Sequence, residues 1–188
     1  MTDKLYWYWF CSMLGINSRK QHQLMEIFLH PRELFAAPPN IIEETLSKKA
    51  YQRFMETRSP DQIRRSYEAL EKAQIRFLVS GEAAYPAKLK EIYDYPYGMF
   101  QKGQAWQMKP LVIAIVGSRH PSSYGLEIAR LFAKELSDLG VGIVSGLAKG
   151  IDGAAHRGAG YHRGATAGVL GCGIDQIYPW DNHQLFYE

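Results

Sequence analysis

Three short glycine-bearing segments in the second half of the 188-residue chain carry residue types suited to holding a phosphate: Gly117-Ser118-Arg119, Ser145-Gly146-Leu147-Ala148-Lys149-Gly150 and Gly171-Cys172-Gly173. Glycine lets backbone amides approach an anion closely and adopt positive φ, while Arg119 and Lys149 place full positive charges on two neighbouring loops. The glycines alone leave two readings open, because turns between strands and helices need glycine whether or not a ligand binds. Arg119 favours a ligand: it follows a buried strand directly, with no helical face to solvate it, so its charge is expected to face the crevice. Lys149, between small residues, could equally point into water.

Two familiar nucleotide signatures are missing. Gly117-Ser-Arg-His-Pro-Ser-Ser-Tyr-Gly125 matches neither G-x-G-x-x-G nor G-x-x-x-x-G-K-[ST], and the strand before Ser145-Gly146 does not end in a ribose-binding acid. Neither a nicotinamide cofactor nor a Walker-type ATP site is supported, and no cofactor is expected. Asp152 and His156, four apart, share a helix face near the loop mouth, where a general-base pair is conceivable. The alternative is that Asp152 stabilises a helix N-terminus while His156 and Arg157 line or cap the crevice. No serine, cysteine or metal cluster completes a catalytic set, and His156 and His162, six apart, do not share a face as metal ligands would.

The elements that must position these loops follow a strand, glycine, helix rhythm. Leu111-Val-Ile-Ala-Ile-Val116 is a continuous apolar run, expected as a strand covered on both faces of a parallel sheet. Ile128, Phe132, Leu136 and Leu139 then recur at helical spacing up to Gly140. A second strand spans Val141 to Val144, a helix runs from about Ile151 to about His162 and is stopped by Gly164, and a third strand spans Ala165 to Leu170. Two successive right-handed crossovers predict a doubly wound, Rossmann-like parallel sheet over 110–188, whose loops meet outside the carboxyl ends of the strands.

Residues 1–70 predict a small all-helical domain, with short helices divided by Gly15, Pro31, Ala37-Pro38-Pro39-Asn40 and Ser59-Pro60-Asp61. Leu24, Ile27 and Phe28 would form one apolar face, joined by Leu34 and Phe35. Residues 71–109 read as a connecting segment whose strands, Ile75–Val79 and one near Met99-Phe100, join the sheet. The apolar run Leu5–Ile16 is too short for a membrane span and has no cleavage site after it, so it predicts a core helix. Cys11 and Cys172 form no pair, as expected in a reducing cytoplasm. The net charge is only +3, and residues 110–188 hold 6 basic against 7 acidic residues, so binding to a polyanion must rest on a few well-placed cations. Lys48-Lys49, Arg53, Arg58 and Arg64-Arg65 make a basic run that serves either as a solvated face or as a secondary contact for a nucleic-acid polyanion.

Four ordered blocks give the chain a family resemblance: Tyr85-Pro-Ala-Lys-Leu with Ile92-Tyr-Asp94, Pro96, Phe100 and Gly103; Val112-Ile-Ala-Ile-Val-Gly-Ser-Arg119; Ser145-Gly-Leu-Ala-Lys-Gly-Ile-Asp152 with Ala154-Ala155-His156; and Val169-Leu-Gly-Cys-Gly-Ile-Asp175 with Tyr178-Pro179, Asn182 and Leu185. Together they resemble the DNA-processing protein A family, DprA or Smf, and the helical N-terminus loosely resembles its sterile-alpha-motif or helix-hairpin-helix-like domain. The resemblance implies a non-enzymatic cytoplasmic protein that binds and protects single-stranded DNA and helps load RecA in natural transformation. Its DNA pocket would use Gly117, Ser118, Arg119, Ser145, Gly146, Ala148, Lys149, Gly150, Asp152, His156, Arg157, Gly171 and Gly173, with bases against rings such as Tyr124 or Tyr178. Gly168 stands where the family suggests a larger small residue, which would loosen the third strand. The chain ends before the family's following strands, second basic loop, usual dimer surface and winged helix, and so reads as an N-terminal fragment or truncated homologue; any homodimer would use the missing region. An alternative is a nucleotide-binding protein or nucleotide phosphoribohydrolase on a related fold, although the P-G-G-x-G-T-x-x-E signature of the latter is absent.

Overall fold

The computed structural model describes residues 1–13, 15–104, 111–160 and 165–187. The backbone divides into two compact units, Met1–Gly103 and Gln104–Glu188.

The first unit opens with six helices: α1 (Asp3–Ser12), α2 (Ser18–Phe28), α3 (Pro31–Ala36), α4 (Pro39–Thr45), α5 (Lys48–Thr57) and α6 (Pro60–Lys72). The breakers seen in the sequence act as helix starts. Asn17, Ser47 and Ser59 accept hydrogen bonds from the Lys20, Ala50 and Gln62 amides, while Pro31, Pro39 and Pro60 occupy first-turn positions whose N–H would lack a helical acceptor. The apolar run Leu5–Ile16, predicted as a core helix, supplies α1, which ends at Ser12 before the run does; Trp9 and Phe10 are buried. The Trp9 ring meets Phe54 edge to face at 5.2 Å, and its indole N–H donates to Thr57 Oγ1 at 3.2 Å.

One predicted face is corrected. On α2 the buried residues are Gln21, Leu24, Met25 and Phe28, whereas Ile27 is 59% exposed. At 100° per residue a face centred on Leu24 and Phe28 turns Ile27 roughly 80° away, toward solvent.

The strands β1 (Ile75–Val79) and β2 (Gly98–Lys102) pair antiparallel, with Phe77 opposite Phe100. They were expected to join the parallel sheet; among the described residues they form a separate two-stranded sheet, and Phe77 and Val79 enter the core made by the helices.

The second unit contains β3 (Val112–Ala114), α7 (Ser123–Asp138), β4 (Gly142–Ser145), α8 (Ile151–Ala159), β5 (Thr166–Gly168) and α9 (His183–Tyr187). The strands are parallel in the order β3-β4-β5, with Ile113 beside Ile143 and Ser145 beside Gly168. This is the α/β, Rossmann-like arrangement expected, and its sequential order is that of one half of a doubly wound sheet. Two crossovers of one hand put both helices on one face, where α7 and α8 pack closely together.

That packing corrects the predicted core face of α7. Its buried residues are Ala129, Ala133 and Ser137, while Phe132 is 58% and Leu139 81% exposed. Small side chains win because the helix backbones nearly touch: a Cβ on Gly158 would run into the Arg130 carbonyl oxygen, and Ser137 Oγ donates to the Ala159 carbonyl at 3.2 Å. The first strand is likewise covered on one side only among the described residues. Ile113 and Ile115 join the cluster around Ile143, Ala133 and Ala155, whereas Ala114 and Val116, on the opposite side, are exposed.

The α8 helix ends at Ala159, followed by Gly160 at φ 38°. The predicted continuation to His162 and stop at Gly164 lie outside the described residues. Among the described residues no helix is long and apolar enough to cross a membrane.

Candidate nucleic-acid interface

Parallel strands bring their three following loops to one rim of the sheet. Gly117, Ser118, Arg119 and His120 after β3 are exposed, as are Lys149 after β4 and Gly171, Cys172 and Gly173 after β5. Each loop is held by a different local device. Ser118 Oγ accepts the His120 amide at 3.0 Å, and Ser122 caps α7 through the Gly125 amide at 3.2 Å. The third loop turns on a hydrogen bond from the Gln176 amide to the Gly173 carbonyl.

The first two loops are tied by Asp152, on the first turn of α8. Its Oδ1 accepts the Gly117 amide at 3.3 Å and its Oδ2 the Gly146 amide at 3.0 Å. The Ile151 amide adds a bond to the Ser118 carbonyl at 3.2 Å. Gly150 makes the close approach possible: it sits at φ 80°, and a Cβ there would collide with the Ser118 carbonyl oxygen and crowd the Arg119 backbone.

Three of the predicted site residues face inward and build the rim without lining it. Ser145 is buried and donates to the Ile115 carbonyl at 2.6 Å. Asp152 is buried with both oxygens engaged. His156 is 3% exposed, with Nδ1 2.7 Å from Thr166 Oγ1. Burial pushes the His156 pKa below its ordinary value, opposed by the nearby Asp152 charge and the Ser145 backbone and reinforced by Arg157. Asp152 and His156 thus do not meet at the mouth as an acid–base pair, and the crevice-lining role expected of His156 is replaced by a core one. The amides of Gly117 and Gly146 are likewise committed to Asp152; among the described residues no acceptor is found for those of Ser118 and Arg119.

The two cations differ. Arg119 is exposed and has no ion-pair partner among the described residues. Lys149 lies 2.7 Å from Asp181. That contact raises the Lys149 pKa and lowers that of Asp181, each chiefly through their shared hydrogen bond. Arg157, exposed on α8, donates from Nη2 to Asn182 Oδ1 at 2.8 Å.

Asn182 is the structural residue that sequence reasoning passed over, although it stands in the Tyr178-Pro179 block. It is 3% exposed, and its Nδ2 donates to the carbonyls of Leu147 at 2.9 Å and Ala148 at 2.8 Å. The segment Trp180–Asn182 is thereby clasped to the second loop, which brings Asp181 to Lys149. A polar cleft of about 150 Å³ beside it is lined by Arg157, Asp181, Asn182, Gln184 and Leu185.

Two further expectations change. Gly168 does not loosen the third strand, because Leu147, turned inward at φ 55°, fills the space: its Cδ1 would lie 2.8 Å from a Cβ on Gly168. The basic run of α5 and α6 is partly engaged, with Arg58 5.6 Å from the ring centres of Phe35 and Phe54 and Arg64 paired with Asp61.

Comparison with known proteins places this architecture. The DNA processing protein DprA of Bacillus subtilis is 44% identical over 102 residues, which are 54% of this chain and 34% of that protein. The X-ray structure of DprA from Streptococcus pneumoniae matches with a TM-score of 0.70 at 29% identity, covering all of this chain and 64% of the other. A Helicobacter pylori DNA processing protein A, whose structure is described as revealing a unique single-stranded DNA binding mode, matches with a TM-score of 0.52 at 31% identity over 60% of this chain and 49% of that one. The chain spans about a third of the length of curated relatives such as the Bacillus protein. The family model for DNA recombination-mediator protein A matches residues 76–188, a stretch that includes all three loops of the rim, and the chain belongs to that family.

Proposed function

We propose that the rim formed by the loops after β3, β4 and β5 binds the phosphates of single-stranded DNA, and that the chain acts without catalysing a reaction. The observation that carries this reading is Arg119, exposed and without an ion-pair partner among the described residues, on a rim whose first two loops are tied together by Asp152. A preset cup with an exposed guanidinium suits a flexible polyanion, since little must be reorganised when phosphates arrive. The open rim suits a strand that continues past it better than a mononucleotide that must be enclosed. The phosphates rest on the Ser118 and Arg119 amides, the Arg119 guanidinium and the Lys149 ammonium once Asp181 gives way.

Membership of the recombination-mediator family, and the single-stranded DNA binding attributed to the Helicobacter relative, support the choice of ligand. In the whole protein this binding would protect incoming strands in the cytoplasm during natural transformation and present them to RecA, with any homodimer formed outside this chain. The test is fluorescence anisotropy with a labelled single strand, comparing wild type with Arg119→Ala and Lys149→Ala. Weakened binding in both variants is expected; unchanged binding in both would sink the assignment. Release of free base from nucleoside monophosphates would instead favour the phosphoribohydrolase alternative.

A further inference from the structure

Among the exposed aromatic residues of the second unit, Trp180 differs from Tyr124 and Tyr178 in having a ring partner among the described residues. Its indole lies face to face with the His183 imidazole, ring centres 5.0 Å apart and planes 11° from parallel. His183 Nδ1 is 2.9 Å from the Trp180 carbonyl, so the same short turn fixes both rings. Between them in sequence, buried Asn182 anchors the turn to the Leu147 and Ala148 carbonyls and to Arg157. With one face on His183 and 68% of its surface exposed, the indole leaves its other face to solvent. Asp181, the next residue, contacts Lys149, so the ring belongs to the residue beside that cation's partner.

We propose that the Trp180 indole, backed by His183, is a stacking platform for a nucleobase of the strand whose phosphates occupy the rim. This rests on the single-strand reading above and adds a base-contact residue to it. A ring already immobilised by its neighbour loses little conformational freedom when a base stacks on it, and every base presents a π-face, so the contact tolerates any sequence. It also selects against duplex, whose bases are already stacked on one another. Tyr124 and Tyr178 have no ring partner among the described residues and are secondary to it.

The test uses anisotropy with the full chain, an oligothymidylate of about twenty nucleotides and an abasic phosphodiester strand of equal length. Trp180→Ala should weaken binding of the oligothymidylate roughly 5- to 150-fold, the range for loss of one base–aromatic stack, and Trp180→Tyr should restore most of it. On the abasic strand, wild type and Trp180→Ala should bind alike, because no base is present to stack. Equal binding of the oligothymidylate by wild type and Trp180→Ala would overturn the platform. So would an equal loss on both strands, which would show that the ring serves only the fold or the phosphate contacts. If wild type bound neither strand, the single-strand reading itself would fall, a result distinct from failure of the platform alone.

Discussion

Lys149 and Asp181 meet at 2.7 Å beside the rim, so the cation best placed to assist Arg119 carries its own counter-charge. Both are exposed, and the contact is open to exchange with a phosphate. Replacing Asp181 with Asn should keep the turn in place through Asn182 while freeing the ammonium. Affinity for a single strand at low salt is expected to rise severalfold, measured by anisotropy; an unchanged or weaker affinity would show that Lys149 does not act on the strand.

The salt response gives a second check. Neutralising about three phosphates predicts a slope of log affinity on log salt near −2 for a single strand, or roughly a twentyfold loss between about 50 and 200 mM. Arg119→Ala and Lys149→Ala should each flatten the slope by about 0.7. A flat response in wild type would contradict phosphate binding at the rim.

Asp152 should matter for stability more than for contact with DNA. Asp152→Ala leaves the Gly117 and Gly146 amides without their acceptor, at a cost of about 2–3 kcal/mol to the second unit. Chemical denaturation should detect the loss, and a variant as stable as wild type would remove Asp152 from its tying role.

Glycine substitutions separate the close approach from mere loop flexibility. Gly150→Ala forces a Cβ onto the Ser118 carbonyl at a positive φ, and should destabilise by about 3 kcal/mol or more. Gly171→Ala meets nothing within 4 Å and should be nearly neutral in a thermal melt. Similar losses at both positions would contradict this geometry.

The pH dependence of the second unit follows from His156. Its folded pKa lies below the 6.5 of the free side chain, so the unfolded chain takes up a proton more readily than the folded one. Stability is therefore fully present above the unfolded value and is lost as pH falls below about 6.5. His156→Gln should reduce the slope of stability against pH in that window, whatever its effect on stability itself. An unaltered slope would place the acid sensitivity elsewhere.

The loops of the rim were legible in the sequence because their signal is local: glycine closely following an apolar strand, joined in the first two loops by a cation. What those loops do to one another was not. Asp152 reaches Gly117 across 35 positions, and Lys149 finds Asp181 across 32, distances over which residue type carries no pairing rule. Asp152 was read as a helix-terminus acid, which its place on α8 allows, but the two amides that donate to it, of Gly117 and Gly146, are brought there by the fold. The misreading of α7 has a different cause. Periodicity weights large apolar side chains, so Phe132 and Leu139 dominated the predicted face, while contact with α8 selected the small row Ala129, Ala133 and Ser137 because only short side chains let two helix backbones come so near. The helical half was read well where proline and serine mark helix starts, and less well at Ile27, where a run of adjacent apolar residues did not say which side the neighbours would occupy.

Asn182 holds its turn with an uncharged amide, whereas Asp181, one residue earlier, engages Lys149 through charge. The two fastenings answer to different conditions. Rising ionic strength or an arriving anion can loosen the second without releasing the first, so the turn acts as a fixed bracket bearing a detachable counterweight: the aromatic pair keeps its station while the electrical character of the rim adjusts to whatever it meets.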